Sequence, residues 1–168
     1  LLAHELCHIA RIALNSSTYE EIFAYRTSPS AFRRYFGGIF HSAWDSYIFL
    51  FSTILLMVAQ IIRSFVWHNL PTWPFWGILG FVVIGMILRH IFNLGTLRRA
   101  KKRLENIFQI RDAWPILFRC TDDEINIFGG FSEHKVQNFI QNCRNSSSLR
   151  WKIILNKWAL SPKWQKKD

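Results

Sequence analysis

Two histidines and a glutamate stand close together in Leu2-Ala3-His4-Glu5-Leu6-Cys7-His8, and their spacing is that of a metal site carried on a helix. At about 100° per residue, His4 and His8 fall on one face a single turn apart. Both imidazoles can then reach one divalent ion while Glu5 projects beside it. Imidazole donors with an open coordination position favour Zn²⁺, and the Glu5 carboxylate can accept a proton from a metal-bound water. The flanking residues are mostly apolar helix formers, so this polar trio is expected on a half-buried helix, where a metal offsets the cost of burial. Arg11, three residues after His8 and seven after His4, is expected on the same side, positioned to meet a carboxylate or an oxyanion.

An ion held by two imidazoles needs a further protein ligand. Asn15-Ser16-Ser17 interrupts the helix, and Ser17 or Thr18 with Glu20 or Glu21 reads as a capping box that opens a second one. His8 sits about 9 Å of helix before Leu14, and Glu21 about 5 Å into the next helix. An antiparallel pair therefore brings the Glu21 carboxylate to the metal, while Glu20 points about 100° away. The plain alternative for both acids is stabilisation of a helix N-terminus. With Glu21-Ile22-Phe23-Ala24-Tyr25 following the HExxH run, these residues resemble the gluzincins, zinc metallopeptidases whose third ligand is a glutamate in an ExxA run on a later helix. The resemblance covers only the first part of the chain. It implies His4, His8 and Glu21 as zinc ligands, Glu5 as catalytic base and a peptide or protein as substrate. Glu20 stays open as the alternative third ligand. Tyr25 and Arg11 are the candidates for stabilising an oxyanion.

The remaining elements must anchor that pair of helices. Half of the 168 residues are hydrophobic, and a net charge of +10 is unevenly spread, which suits a membrane protein with basic aqueous segments. The chain does not begin with Met and the motif follows at once, so upstream sequence is expected. Cys7, Cys120 and Cys143 are odd in number and lack CxxC spacing, which excludes a disulfide scaffold and suits a reducing compartment. Residues 31–44 combine Arg33 and Arg34 with aromatics and read as an interfacial segment; His41 there is a possible extra site residue. Residues 47–67 and 73–92 are each apolar enough and long enough to span a bilayer, joined by a tight turn at 68–72. Trp67, Trp73 and Trp76 form an aromatic belt, Arg63 snorkels to the interface, and Gly77, Gly80 and Gly85 would allow close helix approach.

The expected fold is an all-α integral membrane protein. Residues 1–45 hold the metal-site helices and interfacial segment, 46–92 a transmembrane hairpin, and 93–168 a basic helical region. Arg26, Arg33 and Arg34 before the spans and Arg98, Arg99, Lys101, Lys102 and Arg103 after them face a turn without Lys or Arg. Both termini are therefore expected in the cytoplasm of a plasma or inner membrane, with the basic run against anionic headgroups. A further helix from 104 should stop at Pro115, and Thr121 with Glu124 should cap the next. Residues 132–143 carry only Lys135 as a clear cation, too few for a DNA-recognition helix, and the Trp and Lys mixture from 150 onward favours the membrane interface, so no nucleic-acid partner is expected. The function that follows is a membrane-bound zinc metallopeptidase. The alternative is a non-catalytic adaptor binding lipid or a protein partner through its basic, aromatic ends.

Overall fold

The computed structural model describes residues 2–161 and 164–166. Leu1, which precedes the HExxH run, and residues 162, 163, 167 and 168 of the basic tail lie outside the described residues. The chain is all-α: among the described residues there is no strand, only an isolated antiparallel bridge between Ile110 and Gln165. Helix α1 spans Leu2–Arg11 and tightens into a 3-10 turn, Ile12–Leu14, that ends where Asn15 adopts a left-handed conformation (φ 47°). Helices α2 (Glu20–Arg26) and α3 (Ala31–Phe36) follow. The expected capping box of α2 does not form. The helix starts at Glu20, so the cap position falls on Tyr19, which makes no side-chain cap bond, and the Thr18 N–H donates to Asp122 Oδ2 at 2.7 Å.

Helix α4 (Ala43–Phe65) and helix α5 (Trp73–Phe108) are both long and apolar enough to cross a membrane, their most apolar 18-residue windows having mean hydropathies of 2.0 and 1.9. Only 17% and 11% of their most apolar windows are buried, so they present their side chains outward, as a soluble core helix would not. Besides Asp45 at its start, α4 buries Ser52, Leu56 and Ala59, and the apolar half of α5 buries Met86, His90 and Asn93, each set spaced four then three, the interval of a helix seam. Gly77, Gly80 and Gly85 do not serve that seam, since each faces open space. Arg63 Nη1 donates to Thr72 Oγ1 at 3.0 Å, holding its charge at the turn end of the hairpin.

The helix α5 runs unbroken across position 92. Its 36 residues make about 54 Å, some 24 Å more than a hydrocarbon core. The excess is the spine around which the later helices pack. The α5 seam continues at the same interval through Leu97, Ala100 and Leu104, all fully buried. Around it pack α6 (Trp114–Leu117), α7 (Asp122–Gly130), α8 (Glu133–Asn145) and α9 (Leu149–Ile154), the last extended by a π-helical turn, Leu155–Ala159. Helix α5 stops at Gln109, which takes φ 52°; Pro115, expected to end a helix, lies in the first turn of α6, where its missing N–H costs nothing.

Thr121 and Glu124 do form the expected capping box of α7. Glu124 does more than cap: it also accepts from Arg150 and from Trp151 Nε1, fastening α9 to α7. Helix α7 lies so close to α5 that a Cβ on Gly129 would sit 2.4 Å from the Thr96 carbonyl oxygen. Arg99 donates to the Gly129 carbonyl and Arg103 to those of Phe128 and Phe131, closing the C-terminal end of α7. Lys101 pairs with Glu105 at 2.9 Å. Three of the five cations in the basic run after Gly95 are thus engaged inside the protein.

Candidate metal centre

The two helices that carry the HExxH and ExxA residues are positioned by their apolar backs. Cys7 on α1 and Tyr19, Ile22, Phe23 and Ala24 on and before α2 join the same core as Leu97, Ala100 and Leu104 of α5. Burying those residues leaves His4, His8, Glu20 and Glu21 at the rim between the helices, each side chain 23–28% exposed. Burial pushes the Cys7 thiol pKa up, against the opposing charge of Arg11, so it behaves as an apolar filler. Tyr19 donates to Asn126 Oδ1 at 2.5 Å, and burial, reinforced by Asp122, pushes its pKa up to about 12.

At the rim, one donor atom from each of His4, His8 and Glu21 lies within 4.8 Å of the others. His4 Nε2 and His8 Nε2 are 3.2 Å apart, Glu21 Oε1 is 3.6 Å from His8 Nε2, and Glu21 Oε2 is 3.9 Å from His4 Nε2. Ligands at 2.0–2.1 Å from a tetrahedral ion are separated by about 3.3 Å, so the two imidazoles already stand at that spacing and the Glu21 carboxylate has to close on them for the trio to grip one ion. The remaining His8 nitrogen is also occupied: Nδ1 lies 2.9 Å from Glu20 Oε1. Donation of Nδ1–H to that carboxylate sets the tautomer and leaves the Nε2 lone pair facing His4 and Glu21. Glu20 is therefore not turned away from the site. Its side chain crosses the interhelical gap to the far edge of the His8 ring, which a helical-wheel angle cannot register. The pair Glu20 and Glu21 also balances the charge of a divalent ion.

Glu5 is exposed beside His4 in a cleft of about 290 Å³, shared with Tyr25, Thr27, Ser28 and Arg33. The Tyr25 ring meets His4 edge-on at 4.8 Å between centroids. Gly37, in the 3-10 turn Gly37–Ile39, makes room for it: a Cβ there would lie 2.2 Å from the Tyr25 ring. Arg33 comes from α3 and is the cation of this cleft, a residue that the sequence placed only at the membrane interface.

Arg11 is not in the cleft. It lies between the Cys7 and His4 stripes of α1, and its long side chain turns inward, where it is 1% exposed. Nη1 donates to the Phe118 carbonyl at 2.5 Å and Nη2 to that of Cys120 at 3.3 Å, with Asp122 Oδ1 at 3.8 Å and the Phe23 ring 4.6 Å below. Burial lowers its pKa and Asp122 opposes the shift. Free carbonyls beyond α6 attract the guanidinium more strongly than an exposed rim can. His41 is buried too, at the base of the hairpin rather than at the site. Its Nδ1 faces the Ile39 carbonyl and its Nε2 faces Asn93, while Asp45 accepts from the His41 and Ser42 N–H groups and from Arg89. That pairing lets Arg89 sit at the end of an apolar span.

No family model, characterised protein or solved structure matches the chain. The geometry of the site therefore carries the functional reading by itself.

The position of Glu20 has a measurable consequence. Outer carboxylates on metal-bound histidines are worth roughly 10–100-fold in metal affinity. Glu20→Gln should weaken zinc binding by about that factor, and Glu21→Gln, which removes a ligand charge, by more; competition titration with a chromophoric chelator measures both. Zinc affinity unchanged in Glu20→Gln would reduce its contact with His8 to a surface ion pair.

Proposed function

We propose that the protein is a membrane-bound, zinc-dependent metallopeptidase. The observation that carries this reading is the convergence of His4, His8 and Glu21, one donor atom from each within 4.8 Å of the others, with Glu20 holding the outer nitrogen of His8. Their donor chemistry, two neutral imidazoles and a carboxylate with one side open to a cleft, fits Zn²⁺ better than harder ions that prefer all-oxygen cages. When bound, Zn²⁺ supplies a Lewis acid that polarises a carbonyl and brings the pKa of water towards 7. The chain does the rest. Glu5 is free of salt-bridge partners among the described residues and accepts the proton of the attacking water. Tyr25 and Arg33 border the same cleft and can donate to the oxygen that becomes negative, a role in which Arg33 takes the place foreseen for Arg11. His8, its Nδ1–H held by Glu20, keeps its orientation throughout.

Purified protein should contain one zinc per chain by elemental analysis and cleave an unstructured peptide library in a chelator-sensitive manner. Negligible zinc in wild type after loading at neutral pH would refute the peptidase and favour the adaptor.

The site belongs on the cytoplasmic side of a plasma or inner membrane, with both termini cytoplasmic. The support is the distribution of cations around a turn that has none. The three cysteines are buried, so labelling has a low background, and they can be replaced before a reporter is introduced. In such a variant, Asn69→Cys should react with an impermeant maleimide from outside intact cells, and Ser161→Cys only after permeabilisation. The reverse pattern would invert the topology.

A further inference from the structure

Beside the metal-site cleft, and sharing no residue with it, lies a second cleft of about 240 Å³ in which three guanidiniums meet. Arg26 comes from the end of α2, Arg34 from α3 and Arg98 from α5, over Tyr35, Leu94, Leu97 and Trp114. Two of them are held in place by rings: Arg26 Cζ is 3.5 Å from the Trp114 centroid and Arg98 Cζ is 5.8 Å from that of Tyr35. Among the described residues no carboxylate forms a salt bridge with any of the three. The nearby acid, Asp112, pairs with Lys101 at 3.5 Å. Burial pushes the Arg26 pKa down, Asp112 opposes the shift, and Arg34 and Arg98 add repulsion. Like charges gathered from three helices, and unpaired, describe a receptor for an anion.

The depth of the cleft selects the anion. The residues from Trp73 to Phe92 make about 30 Å of helix, the thickness of a hydrocarbon core, and Ile91 and Phe92 at its end are exposed. Leu94 to Arg98 then lie about 3–9 Å further along α5, at headgroup depth. Guanidiniums bind phosphate oxygens in bidentate fashion. We propose that this cleft binds the phosphate of an anionic phospholipid and thereby holds α2 and α3, which border the metal site, against the membrane. The proposal rests on α4 and α5 being spans and not on the metal site.

Isothermal titration of the full chain in neutral detergent with short-chain phosphatidylglycerol tests it, with short-chain phosphatidylcholine and inorganic phosphate as comparisons. Arg34 and Arg98 are exposed, so Arg34→Gln and Arg98→Gln should fold normally, which far-UV circular dichroism checks. Each should weaken phosphatidylglycerol binding about tenfold, the double variant further, while Lys102→Gln, an exposed cation outside the cleft, stays at the wild-type value. Inorganic phosphate should bind more weakly than the lipid, and phosphatidylcholine more weakly than phosphatidylglycerol. Unchanged binding by the double variant, or an equal loss in Lys102→Gln, would overturn the proposal. Inorganic phosphate binding as tightly as phosphatidylglycerol would replace the lipid with a soluble phosphoryl ligand and overturn it too. Zinc content in the arginine variants should equal wild type, so failure here and failure of the metal site are seen separately.

Discussion

Glu5→Gln is expected to retain its zinc and lose peptidase activity by roughly 10²–10⁴-fold, the range a positioned general base contributes. The amide keeps the shape of the carboxylate but cannot accept the proton, and Glu5 is no part of the trio that spaces the ion. His4→Ala should behave differently and lose the zinc itself, because two donors 3.6 Å apart hold an ion far less firmly than three. Elemental analysis and peptide hydrolysis on the same preparations separate the two effects. Equal activity in wild type and Glu5→Gln would remove the base from the proposed mechanism. Zinc retained in His4→Ala would place the ion elsewhere.

Arg11→Ala is expected to destabilise the protein by about 3–5 kcal/mol, the usual cost of removing one partner from a buried charged network. The residue is 1% exposed, and its loss leaves the Phe118 and Cys120 carbonyls without their donor and Asp122 without the cation 3.8 Å from it. The two carbonyls belong to the loop between α6 and α7 and Asp122 opens α7, so the damage would spread from α1 to the packing of α7 on α5. Denaturant titration in mixed micelles measures it, and the fraction that stays folded should still bind zinc. A variant with wild-type stability but no activity would return Arg11 to the chemistry of the cleft.

Arg11 illustrates where reading the sequence stops. Its spacing from His4 and His8 placed its Cα within 60° of their face, which is correct on a helical wheel. A wheel carries no information about a side chain long enough to choose between an exposed rim and buried carbonyls more than a hundred residues away. The same limit hid Glu20. Its angle on α2 pointed away from Glu21, but the His8 ring has two nitrogens, and the outer one lies where Glu20 can reach it. Arg33 was read for its charge beside aromatics, and only the turn between α2 and α3 brings it to the cleft of His4 and Glu5.

Local order determined much of the rest. Apolar length alone marked the two spans, because a bilayer asks only for about 20 residues without exposed charge. Thr121 and Glu124 announced their capping box because its partners are three residues apart. The HExxH spacing placed two imidazoles on one face for the same reason, periodicity within a single helix. Tertiary structure decided what depends on contact between distant segments: that α5 runs on past its apolar half to become the spine of the core, that Asp45 accepts from Arg89, and that Gly37 leaves space for the Tyr25 ring. It also decided that Glu21 stands level with both histidines while Glu20 braces one of them. Helical periodicity repeats every few residues and is written in neighbours, whereas the meeting of two side chains across helices depends on loop path and burial, which no short stretch of sequence contains.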